Sequence, residues 1–224
     1  MKKLSQIRDF IQRNGIKKAC RTFFDVLQEK RLERIKQKRF PVIDRFPIEN
    51  KIIFECQSDM DDNPRAIYEY MLEQGMNEQY QMIWIVKDVK FCRKYYRMKN
   101  VTFFSRFDKS IRNQLRLRRH LSTAKWLLFS HPYWYQKIKS EQIVLHTGHG
   151  TPLKNTTKNS IAVESTFDKM LATTEAMKPY YIKFWNCKDE QVFICGNPRN
   201  DLLFKGSKKR VLSKLFDCAD DEKS

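Results

Sequence analysis

One recurrence constrains the fold more than any other feature. Between residues 51 and 195, short apolar runs that read as strands alternate with segments of helical character. The runs are "KIIFECQ" (51–57), "QMIWIVK" (81–87), the weaker "VTFF" (101–104), "WLLFS" (126–130), "QIVLH" (142–146), "KMLAT" (169–173) and "QVFIC" (191–195). Asn63 is placed to cap a helix with Pro64 at its first position and Gly75 as its stop. A basic helix is expected across 108–124 and another over about 174–185. Runs that are apolar at nearly every position suit strands buried on both faces. Alternation with helices therefore predicts an α/β fold, a Rossmann-like parallel sheet covered by helices.

Apolar residues make up 41% of the chain and aromatics 13%, enough for a core, which excludes global disorder. The net charge of +18 speaks to partners and leaves nucleic acid, an anionic membrane and phosphate-rich substrates open. The charge is concentrated in residues 1–40, with thirteen Lys or Arg against four Asp or Glu. There Leu4, Ile7, Phe10 and Ile11 fall at helical spacing, as do Ala19, Phe23, Val26 and Leu27, with Gly15 between the two runs. A basic helical hairpin or kinked amphipathic helix follows, either lying on an anionic leaflet or packed on the main domain. No run reaches the ~18–20 apolar residues of a membrane span, and the first residues lack the apolar core of a signal peptide. Six cysteines (Cys20, Cys56, Cys92, Cys187, Cys195, Cys218) have neither zinc-ligand nor disulfide-framework spacing and read as reduced thiols of a cytosolic protein. No metal site is expected.

Chemistry concentrates where the fifth run ends, in "IVLHTGHGTPLKN" (143–155). Ligands of open α/β sheets sit at the carboxyl ends of strands. His149 lies on that loop between Gly148 and Gly150, which permit unusual dihedrals and close approach of a substrate. Thr151 and Pro152 suit a turn or helix start with free N–H groups, and Lys154 adds a point charge for phosphate. The set suits removal of a proton from a hydroxyl while a phosphate is held nearby. His146, inside the strand, is expected to be buried and hydrogen-bonded. His131, in "SHPYWY", again follows a strand and either lines the same cleft or, the preferred reading, sits in an ordinary turn with aromatic packing. A second loop, "CGNPRNDLLF" (195–204), offers Arg199 to a phosphate or a carboxylate. There Asp201 either caps the next helix or holds Arg199, so this loop is a ligand contact or a salt-bridged turn.

"NPRAIYEYM", "HGTPLK" and "GNPRNDLL" occur in this order and at these distances in the CDP-glycerol glycerophosphotransferase family, the teichoic acid primases and polymerases, which this chain resembles from about residue 50 to 204. The resemblance implies the N-terminal domain of a GT-B fold and transfer of glycerol phosphate from CDP-glycerol to a hydroxyl of a lipid-linked teichoic acid acceptor. His149 would be the general base; Gly148, Gly150, Thr151, Pro152, Lys154, Arg199, Asn200 and Asp201 would contact substrate. The family pattern carries tryptophan where this chain has Gly148, and the loss of the indole is expected to loosen the loop.

Three segments are expected: a basic membrane-associating segment over 1–40, an acceptor-side Rossmann-like domain over 41–204, and a helix with an acidic tail over 205–224. The donor-binding half that the family carries after "PRNDLL" is expected to be absent, leaving two readings open. In one, a separate donor-domain polypeptide completes a transferase; in the other, the chain is a catalytically inactive truncated acceptor- or membrane-binding module. Implied partners are a polyisoprenyl-diphosphate-linked acceptor and an anionic membrane surface, not nucleic acid. The implied location is cytoplasmic, peripheral on the inner face of the cell membrane. No cofactor is expected beside the donor substrate CDP-glycerol.

Overall fold

The structure is a computed structural model and describes residues 12, 15–37, 41–108, 110–131, 137–150, 167–201 and 203. All seven expected runs form strands: β1 (Glu49–Glu55), β2 (Gln81–Val86), β3 (Val101–Ser105), β4 (Ala124–Phe129), β5 (Ile143–His146), β6 (Lys169–Ala172) and β7 (Val192–Ile194). They make one sheet of order β3-β2-β1-β4-β5-β6-β7, and every neighbouring pair is parallel. The order runs outward from β1 in one direction and resumes from β4 in the other. The crevice between β1 and β4 is thus the point where topology reverses, the usual ligand position in such sheets.

Alternate residues of the same strands feed two cores. Ile53, Ile83, Ile85, Leu127, Phe129 and Val144 pack on one face. Helices α5 (Ile111–Thr123) and α6 (Lys178–Trp185) cover that face through Leu117, Leu121, Tyr181 and Trp185. Ile52, Phe54, Met82, Trp84 and Leu128 point the other way, toward Tyr68 and Met71 of α3 (Asp62–Glu73) and Cys92 of α4 (Val89–Tyr95). Phe54 stacks on Trp84 at 5.0 Å between ring centroids, and Tyr68 meets both rings edge-on. Each fully buried side chain of this size contributes about 1.5–3 kcal/mol. Burial on both faces explains why the strands read as unbroken apolar runs.

Helix boundaries show where local signals mislead. Asn63 was the expected cap of α3, but the cap is Asp61, whose carboxylate accepts the Asp62 N–H at 2.7 Å. Asn63 lies inside the first turn, fully buried, and its amide is used elsewhere. The seven-residue α4 was not expected; Asp88 caps it by accepting the Phe91 N–H at 2.9 Å. The segment expected as one helix over 174–185 is a 3-10 turn, Glu175–Met177, running into α6.

Ahead of the sheet, α1 (Ile16–Gln37) begins directly after Gly15, where φ is +77°. Ile16, Phe23, Phe24 and Leu27 on α1 are exposed. The short α2 (Pro41–Asp44) is tied to α5 by a bidentate pair, Arg118 Nε to Asp44 Oδ1 at 3.1 Å and Nη2 to Oδ2 at 2.8 Å. Residues 1–11 and 204–224 lie outside the described residues, and with them Leu4, Ile7, Phe10, Ile11, Cys218 and the expected helix and acidic tail. Cys56, Cys92 and Cys187 are buried and Cys20 and Cys195 exposed; all five are free thiols.

Candidate functional site

The candidate site assembles at the carboxyl ends of β1, β4, β5 and β7. Beyond β5 the chain runs His146, Thr147, Gly148, His149, Gly150. Thr147 anchors it to β4, its N–H and Oγ1 both donating to the Phe129 carbonyl at 2.7 and 3.1 Å. Gly148 then adopts φ +64°, a left-handed conformation that L side chains rarely take. Its N–H donates to His146 Nδ1 at 3.2 Å. The loop was expected to be loose without the family's tryptophan, yet it is pinned from below and from the side.

Asn63 supplies the lateral hold. Its Nδ2 donates to the carbonyls of Thr147 and Gly148 at 2.9 and 3.0 Å. Its Oδ1 accepts the Arg199 N–H at 3.1 Å. One buried amide thereby joins the start of α3, the loop after β5 and the Pro198–Asn200 turn after β7. Beside it, Arg199 Nη1 pairs with Asp62 Oδ1 at 2.8 Å. Asp62 sits at φ +62°, outside the ordinary range for a residue with a Cβ. Of the two sequence alternatives for Arg199, the carboxylate contact is present. Its partner is Asp62, not Asp201, and Asp201 is exposed.

His149 is exposed, and its ring lies face to face with that of His131, 4.4 Å between centroids and 13° between planes. The expectation of an ordinary aromatic turn for His131 is therefore corrected: strand order places the ends of β4 and β5 side by side. Ser130 Oγ lies 3.0 Å from His131 Nδ1. Burial, then the neighbouring His149, pushes the His131 imidazole below its ordinary pKa, with Asp62 opposing. His146 is buried as expected, and burial pushes it down to about 3. It is a neutral packing and hydrogen-bonding group against Phe167 and Trp185.

Of the residues singled out in the sequence, the structure brings Gly148, His149, Gly150 and Arg199 together. A Cβ built on Gly150 would lie 3.6 Å from Arg199 Nη2. Asn200 is exposed in the same turn, its N–H donating to the Asn197 carbonyl at 2.9 Å. Asp201 borders a shallow groove along α3 with Ala66, Glu69 and Pro198. Thr151, Pro152 and Lys154 lie outside the described residues. Sequence reasoning missed Asp62, the anchoring role of Asn63, and His131 as a neighbour of His149. "NPR" was noticed as a motif, but no local signal ties it to a turn more than 130 residues away. Among the described residues, no group of three or more His, Cys, Asp or Glu is arranged to hold a metal ion.

An exposed imidazole on a loop whose Gly150 adjoins an arginine, at the carboxyl ends of an all-parallel sheet, defines a Rossmann-type domain with a strand-end site suited to acid–base chemistry. Residues 40–223 match the family model described as CDP-Glycerol:Poly(glycerophosphate) glycerophosphotransferase, and the chain belongs to that family. It is 30% identical to the teichoic acid poly(glycerol phosphate) polymerase of Bacillus spizizenii, over 82% of this chain and 50% of that protein. It is 31% identical to the teichoic acid glycerol-phosphate transferase of Staphylococcus aureus, over 60% of this chain and 31% of that one. A structure of the wall teichoic acid polymerase TagF superposes with TM-score 0.63 at 19% identity, over 94% of this chain and 54% of that one. That likeness places the sheet in the GT-B class of folds. The chain spans half or less of the length of these curated relatives.

Proposed function

We propose that this chain provides the acceptor side of a glycerol-phosphate transfer, with His149 as general base. A hydroxyl of a lipid-linked teichoic acid acceptor attacks the glycerol-bearing phosphorus of CDP-glycerol. The new oxygen–phosphorus bond forms as the phosphoanhydride bond breaks. The electron pair leaves on the phosphate oxygen of CMP, and the hydroxyl proton passes to His149. Gly148 and Gly150 leave room for the acceptor beside the ring and Pro152 shapes the turn; Thr151, Lys154, Asn200 and the edge of Arg199 that faces Gly150 supply donors and positive charge for the phosphates. The observation that carries this reading is the exposed His149 at the strand ends, on a loop whose Gly150 adjoins the Arg199 guanidinium, in a chain of this family.

The test is transfer of labelled glycerol phosphate from CDP-glycerol to lipid-linked acceptor in membranes. It is run with the native chain and with His149→Ala, each alone and with a separate polypeptide carrying the donor-binding half of a relative. Loss of a general base lowers the rate by about 10²–10⁴-fold. Equal transfer by the two proteins under both conditions would remove the catalytic role.

The exposed apolar positions of α1 favour a membrane-apposed location. Ile16, Phe23, Phe24 and Leu27 recur at helical spacing, while Lys17, Lys18 and Arg21 are exposed between them. No helix among the described residues is long and apolar enough to cross a membrane. The same surface supports a second reading, a non-catalytic acceptor- or membrane-binding module on the inner face of the cell membrane. Sedimentation with anionic vesicles that retains lipid-linked glycerol phosphate without turnover would favour it.

A further inference from the structure

We propose that His131 is a positioning residue for His149: its ring, stacked face to face on His149, fixes the plane in which that imidazole receives the acceptor's proton. This rests on the reading of His149 as the base. Three observations carry it. The rings are nearly parallel at 4.4 Å, so each fixes the plane of the other. His131 is half-buried, and its Nδ1 lies against the fully buried Ser130 hydroxyl, whereas His149 faces solvent. The loop that carries His149 is held by Asn63 and His146, so the stack is set by backbone as well as by ring contact.

Two imidazolium rings at this distance repel. Coulomb's law at 4.4 Å gives about 0.7 to 2.8 pH units of coupling for effective dielectric constants of about 80 and 20. The other charged groups facing His131 divide in sign. Asp62, from the start of α3, favours its protonated form, and Arg106, following β3, opposes it. Asp62 is paired with Arg199 and Arg106 with Glu55, which weakens both influences. His146, beneath the loop, is neutral in this range. Burial and the neighbouring His149 hold His131 below its ordinary pKa, so it is a neutral ring that stacks on the imidazolium formed in the transfer step.

The experiment is a nitrogen-15 NMR titration of the ring nitrogens in the full chain, for the native protein and for His131→Phe, His131→Ala and His149→Ala. In His149→Ala the midpoint of His131 rises, because the second-largest influence holding it down is removed. In the transfer assay, His131→Phe keeps the flat ring and retains kcat. His131→Ala frees the imidazole and lowers kcat by about ten- to a hundredfold with KM little changed. A His131 midpoint indifferent to His149→Ala, or equal kcat for the Phe and Ala variants, overturns the inference. A His131 midpoint that rises in His149→Ala while that variant keeps full transfer would leave the stacked pair standing and remove the base role instead.

Discussion

Asn63→Ala is the perturbation that most directly tests how the site is held. The side chain is fully buried and makes two hydrogen bonds to the loop after β5 and one to the turn after β7. Each such bond contributes about 1 kcal/mol net, so truncation costs about 3 kcal/mol, more if the abandoned carbonyls stay dry. With a urea m value of about 2 kcal/mol/M, the unfolding midpoint falls by about 1.5 M. Asn63→Asp sharpens the test because it preserves shape. One carboxylate oxygen can still accept the Arg199 N–H, but the other replaces two donors and faces the Thr147 and Gly148 carbonyls. Above pH ~5, where an ordinary aspartate is ionised, Asn63→Asp is therefore at least as destabilising as Asn63→Ala. Urea unfolding of the three proteins at pH 7, followed by far-ultraviolet circular dichroism, provides the comparison. Variants within about 0.5 kcal/mol of the native protein, or an aspartate variant more stable than the alanine one, would refute the account of the anchor.

The φ of +64° at Gly148 makes Gly148→Ala destabilising by about 1–2 kcal/mol through the backbone alone, since a Cβ there would meet nothing nearer than the Leu171 carbonyl at 4.0 Å; thermal unfolding reads this directly. Arg106 forms a buried pair with Glu55 at 2.9 Å and donates to the Cys56 carbonyl at 2.6 Å, so Arg106→Met strands a buried carboxylate and costs about 3–5 kcal/mol in denaturant unfolding. His146 and His120 have folded-state pKa values depressed by burial to about 3 and about 4. Their stabilisation is present above the unfolded value near 6.5 and is lost as pH falls toward the folded values, at about 1.4 kcal/mol per pH unit for each ring. Unfolding at pH 7 and pH 5 should show this loss, and His120→Phe, which keeps ring packing against Phe104, should remove about half of it.

The sheet was legible because burial on both faces writes itself into consecutive residues: "KIIFE" and "QMIWIV" need no partner to be recognised. Helix α4 was not, because seven residues with Lys90, Arg93 and Lys94 show little periodicity, and only the Asp88 cap announces it. The cap of α3 went to Asp61 because Asn63 faces inward. A side chain's choice between capping its own helix and bridging two loops depends on what lies opposite, and local sequence does not contain that. His149 stood out as a candidate from glycines, strand end and charge. His131 was not recognised as its companion because the pairing follows from strand order, which sets β4 beside β5.

The same reasoning explains the unusual backbone of Asp62. A left-handed non-glycine residue costs about 1–2 kcal/mol, and glycine or asparagine would relieve it. Either would forfeit the carboxylate that meets Arg199 at 2.8 Å. Asp61 holds the strained turn from one side by capping it, and the buried Asn63 holds it from the other. The distortion is thus maintained by contacts from distant parts of the chain, the loop after β5 and the turn after the edge strand β7. The pairing also changes what Arg199 can do. A guanidinium with one nitrogen committed to Asp62 is an oriented donor, with its other edge turned toward Gly150. A substrate phosphate would meet it in one geometry, set by the turn after β7. In this arrangement the loop carrying the imidazole and the turn carrying the cation are positioned by the same three-residue stretch, Asp61 to Asn63.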